Sequence, residues 1–279
     1  MSSYKVKNII TNREDLKAHI HSIHDYLRNR GLGVSMTALK IFNLFYALKI
    51  IDGKHHTFDP PLDDVCSWEK IRKVVDQGDD GKFLIYFVGR NNNGEPSNTK
   101  NVLDELFTNR ATKDTIFYEI PRNVRNNTYT TLFKMIDRIP VSDLYKTDLA
   151  GKIYEYFIGY GDRTSMSELG AYFTDRHITN FVINEVAPKI IMKTEDTGNV
   201  PSMIDPFGGS GGFTLTYTRY MHEKYGNYFD WNDEIKNIYH SDLSEDVVKS
   251  ATLEMFALTG SFPAMTDITS QNQNRTFAT

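Results

Sequence analysis

With 279 residues, 40% of them hydrophobic and 24% charged, the chain has the profile of a globular protein large enough for one big domain or two smaller ones, and its patterning favours two. A formal net charge of -4 and a pI near 6.1 exclude a protein that coats nucleic acid through bulk charge, so any such contact must be local or shared with a partner. The single cysteine, Cys66, excludes an internal disulfide framework and any multi-cysteine metal site, and it suits a reducing compartment.

The first 140 residues read as a mainly helical domain. Thr11-Asn12-Arg13-Glu14 matches a capping box, after which Leu16, Ile20, Ile23 and Leu27 recur at helical spacing. From Ser35, a cap residue, the run through Leu39, Phe42, Phe45, Tyr46 and Ile50 is apolar on nearly all sides, which predicts a buried central helix ending at Asp52-Gly53. A short helix is expected around Trp68 to Val75. Lys82 to Val88 reads as a strand or a buried segment, Gly89 to Lys100 as a mobile, asparagine-rich surface loop, and Ile116 to Ile120 as either strand or helix. Asp59-Pro60-Pro61-Leu62 reads as a rigid turn in a loop. The basic residues Arg110, Lys113, Arg122, Arg125, Lys134 and Arg138 read as a solvated charged surface, with contact to DNA phosphates as the alternative. No stretch approaches the ~20 apolar residues of a membrane span, and the polar start MSSYKVKN lacks a signal peptide's apolar core, so a cytoplasmic protein is expected. The eight histidines show no ligand spacing, and no metal is expected.

The character changes near Pro140, and residues 141–279 form the second predicted domain. Leu149, Ile153, Tyr156, Phe157 and Tyr160 make one helical face. A second helix starts at Arg176, capped by Thr174 or Asp175, with Ile178, Phe181, Val182 and Val186 on its buried side and Pro188 closing it. Val200 to Ile204 then read as a strand that enters the nine residues Asp205-Pro206-Phe207-Gly208-Gly209-Ser210-Gly211-Gly212-Phe213. A helix follows from Phe213 to about Glu223, and Ile238-Tyr239-His240 is a second strand leading to Asp242. Strand, glycine turn, helix, strand and acid, in that order, open a doubly wound α/β sheet. Glycines there let the chain turn sharply and let a ligand approach the main chain, while the following helix offers unpaired N–H groups and a partial positive charge.

An acid at the end of the next strand suits the two hydroxyls of a ribose. Asp242 stands 34 positions beyond Gly208 (208 to 242), longer than the ~20 typical of nicotinamide sites, and neither the GxGxxG pattern nor the phosphate-loop pattern occurs. Asp205-Pro206 suits an ammonium-bearing ligand better than a pyrophosphate that a carboxylate would repel. S-adenosylmethionine, with its amino acid, sulfonium and ribose, meets these demands.

Three ordered segments then carry a resemblance to the modification subunits of type I restriction systems and their adenine-specific DNA methyltransferase relatives. Leu149 to Gly159 resembles the helix before the methyltransferase core, Gly170-Ala171-Tyr172-Phe173-Thr174-Asp175-Arg176 resembles the "YFTPR" cofactor motif, and Asp205 to Phe213 resembles "DPACGSGGF". The resemblance implies that Ala171, Tyr172, Phe173 and Thr174 wrap the methionine end of S-adenosylmethionine. It further implies that Gly208 to Gly212 bring main chain against the cofactor and that Asp242 holds the ribose, with Leu243 beside the adenine. Asp175 stands where the family has proline, and Asp242 where many members have glutamate. The family's Asn-Pro-Pro-aromatic catalytic loop does not follow Phe213. The expectation is therefore the helical leading domain and the cofactor-binding part of a longer or split adenine-N6 methyltransferase, without catalytic residues of its own. It would meet double-stranded DNA through the complete enzyme, with a specificity subunit or a further portion as partner. A non-catalytic binding or assembly subunit is the alternative, and a dehydrogenase-type nucleotide enzyme is disfavoured by the acid spacing. Asp242→Ala is expected to weaken cofactor binding and leave the fold intact.

Overall fold

A computed structural model describes residues 10, 13–32, 36–108, 116–125, 127–141, 157, 174–242 and 244–261. The chain divides into two compact units, residues 1–143 and 144–279.

In the first unit, α1 (Arg13–Asn29) buries Leu16, Ile20, Ile23 and Leu27, the four residues whose spacing announces the helix. Helix α2 (Met36–Ile50) is buried nearly all round, from Ala38 and Leu39 through Phe42, Phe45 and Tyr46 to Ile50. Gly53, at φ +77°, turns the chain away after it. The Asp52 carboxylate then accepts from the Trp68 amide at 3.0 Å and the Ser67 hydroxyl at 3.1 Å, anchoring the start of α3 (Trp68–Asp76). That helix buries Trp68, Ile71 and Val75.

Lys82 to Val88 form no strand; they belong to helix α4 (Asp80–Val88). Asp79 caps it by accepting from the amides of Gly81 at 3.0 Å and Lys82 at 3.1 Å, and Gly89 ends it at φ +76°. Its buried residues Phe83, Leu84, Phe87 and Val88 keep helical spacing, which the unbroken apolar run around them hides. The following loop is exposed yet internally bonded. The Asn91 side chain accepts from the amides of Asn93 at 2.9 Å and Glu95 at 3.0 Å, and Arg90 and Pro96 form an antiparallel bridge. Helix α5 (Val102–Thr108) follows. Residues 116–120 are neither helix nor strand, although Ile116, Phe117, Tyr118 and Ile120 are buried. Asp59, Pro60 and Pro61 are exposed in an irregular stretch, as a turn requires. Arg122, one of the basic residues, pairs with Asp104 at 2.6 Å, whereas Arg110 and Lys113 lie outside the described residues, as do Thr11, Asn12 and Ser35.

Helix α6 (Asn127–Asp137) completes this unit and carries a buried acid at its end. The Asp137 carboxylate accepts from Trp68 Nε1 at 2.7 Å and Arg72 Nε at 3.1 Å. Lys49 Nζ donates to the carbonyls of Ile136 at 3.1 Å and Asp137 at 2.8 Å, closing the helix's C-terminus with a cation. Trp68 also stacks on Phe133 with ring centroids 4.1 Å apart.

Cys66 is fully buried, and burial, with the carboxylates of Glu105 and Asp63 adding to it, pushes its thiol well above the ordinary range. Thiolate is the reactive form. The native protein is thus expected to resist labelling by a disulfide reagent at pH 8 and to react fully once unfolded in guanidinium. Rapid labelling of the folded protein would contradict this placement.

The second unit holds α7 (Arg176–Thr197), β1 (Met203–Asp205), α8 (Gly212–Tyr225), the short α9 (Trp231–Glu234), β2 (Ile238–His240) and α10 (Glu245–Thr259). Among the described residues β1 and β2 are the sheet: two parallel strands paired Met203 to Ile238, Ile204 to Tyr239 and Asp205 to His240. Among the described residues the fold is thus mostly helical with a small parallel sheet, consistent with an α/β arrangement. The core gathers Ile183, Val200, Leu215, Tyr217, Met221 and Ile238 with Met255 of α10. Glu234, buried, accepts from the Val200 amide at 2.8 Å and so ties α9 to the chain entering β1.

Helix α7 departs from expectation in two ways. Pro188 does not close it; the helix continues to Thr197 and ends at Gly198, φ +70°. The missing proline N–H costs a main-chain bond to the carbonyl of Asn184, but the turns beyond it bury Thr194 and pack Ile190 on the core. The face expected inside is also outside: Ile178 is 54% and Phe181 64% exposed, and Val182 and Val186 are exposed with them. The buried face is Thr179, Ile183 and Thr194. Two threonines can sit there because their hydroxyls are satisfied locally. Thr194 Oγ1 donates to the Ile190 carbonyl at 2.8 Å, and Thr179 Oγ1 lies 3.1 Å from Thr216 Oγ1 of α8. Hydrophobicity alone points to the wrong stripe. Among the described residues no helix is long and apolar enough to cross a membrane.

Candidate functional site

The loop between β1 and α8 lies where the two parallel strands end, the position at which α/β sheets present ligand sites. Its path is fixed by main-chain bonds to the chain leaving β2. The Ser241 amide donates to the Asp205 carbonyl at 3.0 Å, and the Gly208 amide to the Ser241 carbonyl at 2.9 Å. Inside the loop the Gly211 amide reaches the Gly208 carbonyl at 2.8 Å, and Gly211 itself, at φ +86°, starts α8.

Asp242, two residues beyond β2, faces this loop. One carboxylate oxygen accepts from the Gly209 amide at 3.0 Å and the other from the Ser244 amide at 2.9 Å, at the entry to α10. It therefore clasps both the glycine turn and Ser244, the residue at the N-cap of α10, whose own side chain makes no cap hydrogen bond. Each oxygen can accept more than one hydrogen bond, so both amides can be served while the carboxylate still meets a ligand hydroxyl.

The glycines differ in what surrounds them. A methyl at Gly208 would lie 2.2 Å from Cε1 of His240, and one at Gly212 would lie 2.5 Å from Nη1 of Arg176, so here the protein's own side chains fill the space. At Gly209, with φ +52°, a methyl would meet nothing within 4 Å. The open approach to main chain is at Gly209, beside the N-terminus of α8.

Below the loop lies a polar group in a buried setting. Thr214 Oγ1, in the first turn of α8, is 3.3 Å from Asp205 Oδ2 and 3.0 Å from Nδ1 of His240. His240 is 2% exposed, and burial holds its pKa below the ordinary histidine value against the opposing pull of Asp205, Asp242 and the Gly209 main chain. Sequence reasoning did not single out His240. Its signal was present in strand alternation: Ile238 and His240 share a face, and Ile238 is core.

Of the other expected site residues, Phe207 is 85% exposed on the loop, Pro206 and Phe213 are half-buried, and Ser210 is buried. Thr174 is exposed ahead of α7, whose cap is Asp175: its carboxylate accepts from the His177 amide at 2.8 Å. Asp175 has φ -56°, a value proline also adopts, so the change from proline keeps the path of the chain and adds a cap. Ala171, Tyr172, Phe173 and Leu243 lie outside the described residues, as do most of the helix expected at 149–161 and the third-strand region near Asp267 and Ile268.

A family model described as N-6 DNA methylase matches residues 145–269, a span that contains α7, both strands, the glycine loop and Asp242. No curated protein matches the chain. By this match the segment is similar to N-6 DNA methylases.

Proposed function

We propose that residues 141–279 form the S-adenosylmethionine-binding part of an adenine-N6 DNA methyltransferase. The observation that carries this reading is the clasp of Asp242 on the Gly209 amide, beside the one loop glycine whose Cβ position is open, within the stretch that matches the N-6 DNA methylase family. When bound, S-adenosylmethionine supplies an electrophilic methyl group on a sulfonium.

The residues of the loop suit its parts. Asp242 would accept from the ribose hydroxyls. Asp205, half-buried and held through Thr214, brings a negative charge toward an ammonium or sulfonium. The amides of Gly208, Gly209 and Gly211 are held by Ser241, Asp242 and Gly208, so the donors that suit a carboxylate are those at the start of α8. Ala171, Tyr172, Phe173, Thr174 and Leu243 complete the proposed site by family resemblance.

The chemical step at an adenine amine needs a loop that accepts the amine's hydrogens and a ring that stacks on a base rotated out of the duplex. We infer that these come from a further polypeptide segment, and that double-stranded DNA and a sequence-reading module are met in the complete, cytoplasmic enzyme. Among the described residues the sheet is β1 and β2, and Ile204 on β1 is 59% exposed, a face that an α/β sheet needs covered.

Titration calorimetry of the 279-residue chain with S-adenosylmethionine and with NAD tests the cofactor assignment. Saturable one-site binding of the first and none of the second is expected. Binding of NAD, or of neither, rejects it.

A further inference from the structure

His240 does two things beyond filling the core face that strand alternation gives it. Its ring fills the space that a side chain at Gly208 would occupy, with Cε1 and Nδ1 2.2 and 2.3 Å from the position of a Gly208 Cβ. Its Nδ1 also lies 3.0 Å from the Thr214 hydroxyl, which lies 3.3 Å from Asp205 Oδ2. A carboxylate can only accept, so when the single Thr214 proton goes to Asp205 the proton between Thr214 and His240 sits on Nδ1, whereas in the other tautomer the Thr214 proton goes to Nδ1. In the neutral Nδ1–H tautomer His240 heads a directed chain through Thr214 to Asp205. Burial, which disfavours the charged ring, agrees with this.

Resting on the S-adenosylmethionine reading of this loop, we propose that His240 is its positioning residue: the ring sets the height of the Gly208 main chain and, through Thr214, aims the Asp205 carboxylate at the cofactor's cationic end. It does not touch the cofactor. Gly208 is glycine, on this account, because the histidine occupies the room of its side chain, and the two positions form one unit.

A mutant cycle with two readouts tests this. In calorimetry with S-adenosylmethionine, Gly208→Ala is expected to weaken binding at least about tenfold, the cost of moving the loop off the ring. In a His240→Ala background the same change should cost nothing further, because the obstructing ring is gone. His240→Asn, whose amide can donate to Thr214 from nearly the same position, should stay within about threefold of the parent. His240→Leu, which fills the space without a donor, should lose about tenfold, as should Thr214→Val. A ring that serves only as packing would predict the opposite order, with leucine better than asparagine, and that order overturns the proposal.

The second readout needs no cofactor. Nitrogen chemical shifts of the His240 imidazole should report a neutral Nδ1–H tautomer, and thermal unfolding should show the same loss for Gly208→Ala and the same absence of it when His240 is alanine. An Nε2–H tautomer, or additive losses in unfolding, defeats the proposal whether or not the chain binds S-adenosylmethionine. Failure of the parent protein to bind while the unfolding cycle holds would instead count against the cofactor reading alone.

Discussion

Asp137→Ala is expected to lower the unfolding free energy by about 3–5 kcal/mol, the range found when one member of a buried ion pair is removed. The side chain of Asp137 is fully buried, and it serves an indole N–H, a guanidinium and, 4.0 Å away, the Lys49 ammonium. Without it, Trp68 Nε1 loses its acceptor in the interior and Lys49, whose side chain is 11% exposed, loses its counter-charge. Arg72 is 28% exposed and can turn toward water, so its share of the loss is the part most reduced by solvent. Asp137→Asn keeps an acceptor for the indole but sets an amide against two cations, and it should fall between alanine and the parent. Denaturant titration followed by circular dichroism gives the midpoints. A loss under about 1 kcal/mol for the alanine variant would mean that the network adds nothing beyond its desolvation cost.

That network also shows where sequence reading stops. The spacing of Leu16, Ile20, Ile23 and Leu27 and the all-apolar run of α2 are local signals, and both helices bury those residues. Asp137 gave no such signal, because its partners Lys49, Trp68 and Arg72 come from elements far away in sequence. The same distinction explains α4: local periodicity was present but masked by the continuous run Phe83 to Val88, and the deciding features are the cap at Asp79 and the stop at Gly89. In α7 the error has another cause. Burial follows which face meets α8, and there small threonines with self-satisfied hydroxyls fit closely while Phe181 and Ile178 do not. In the candidate site the glycine turn, its two strands and Asp242 were legible because a sharp turn between a strand and a helix leaves a pattern in glycine. His240 was not, since its role depends on a contact across the strands with Gly208.

Asp242→Ala should reduce affinity for S-adenosylmethionine by about 30- to 100-fold, or ~2–3 kcal/mol, the scale of losing hydrogen bonds to a charged acceptor. The structure adds a consequence to the simpler expectation of an intact fold. The same carboxylate receives the amide of Ser244, the N-cap residue of α10, so its removal should also cost about 1 kcal/mol of stability, as loss of a hydrogen bond does. The two effects are separable. Asp242→Asn keeps one acceptor oxygen and loses the charge, and its amide nitrogen must then face either Gly209 or Ser244, both donors. It should lose about tenfold in affinity with a smaller loss of stability. Affinity must therefore fall more steeply than stability along the series aspartate, asparagine, alanine if the carboxylate meets the ribose. If affinity is unchanged while the unfolding midpoint drops, Asp242 is only a clasp between the glycine turn and α10, and the ribose must find its acceptor elsewhere.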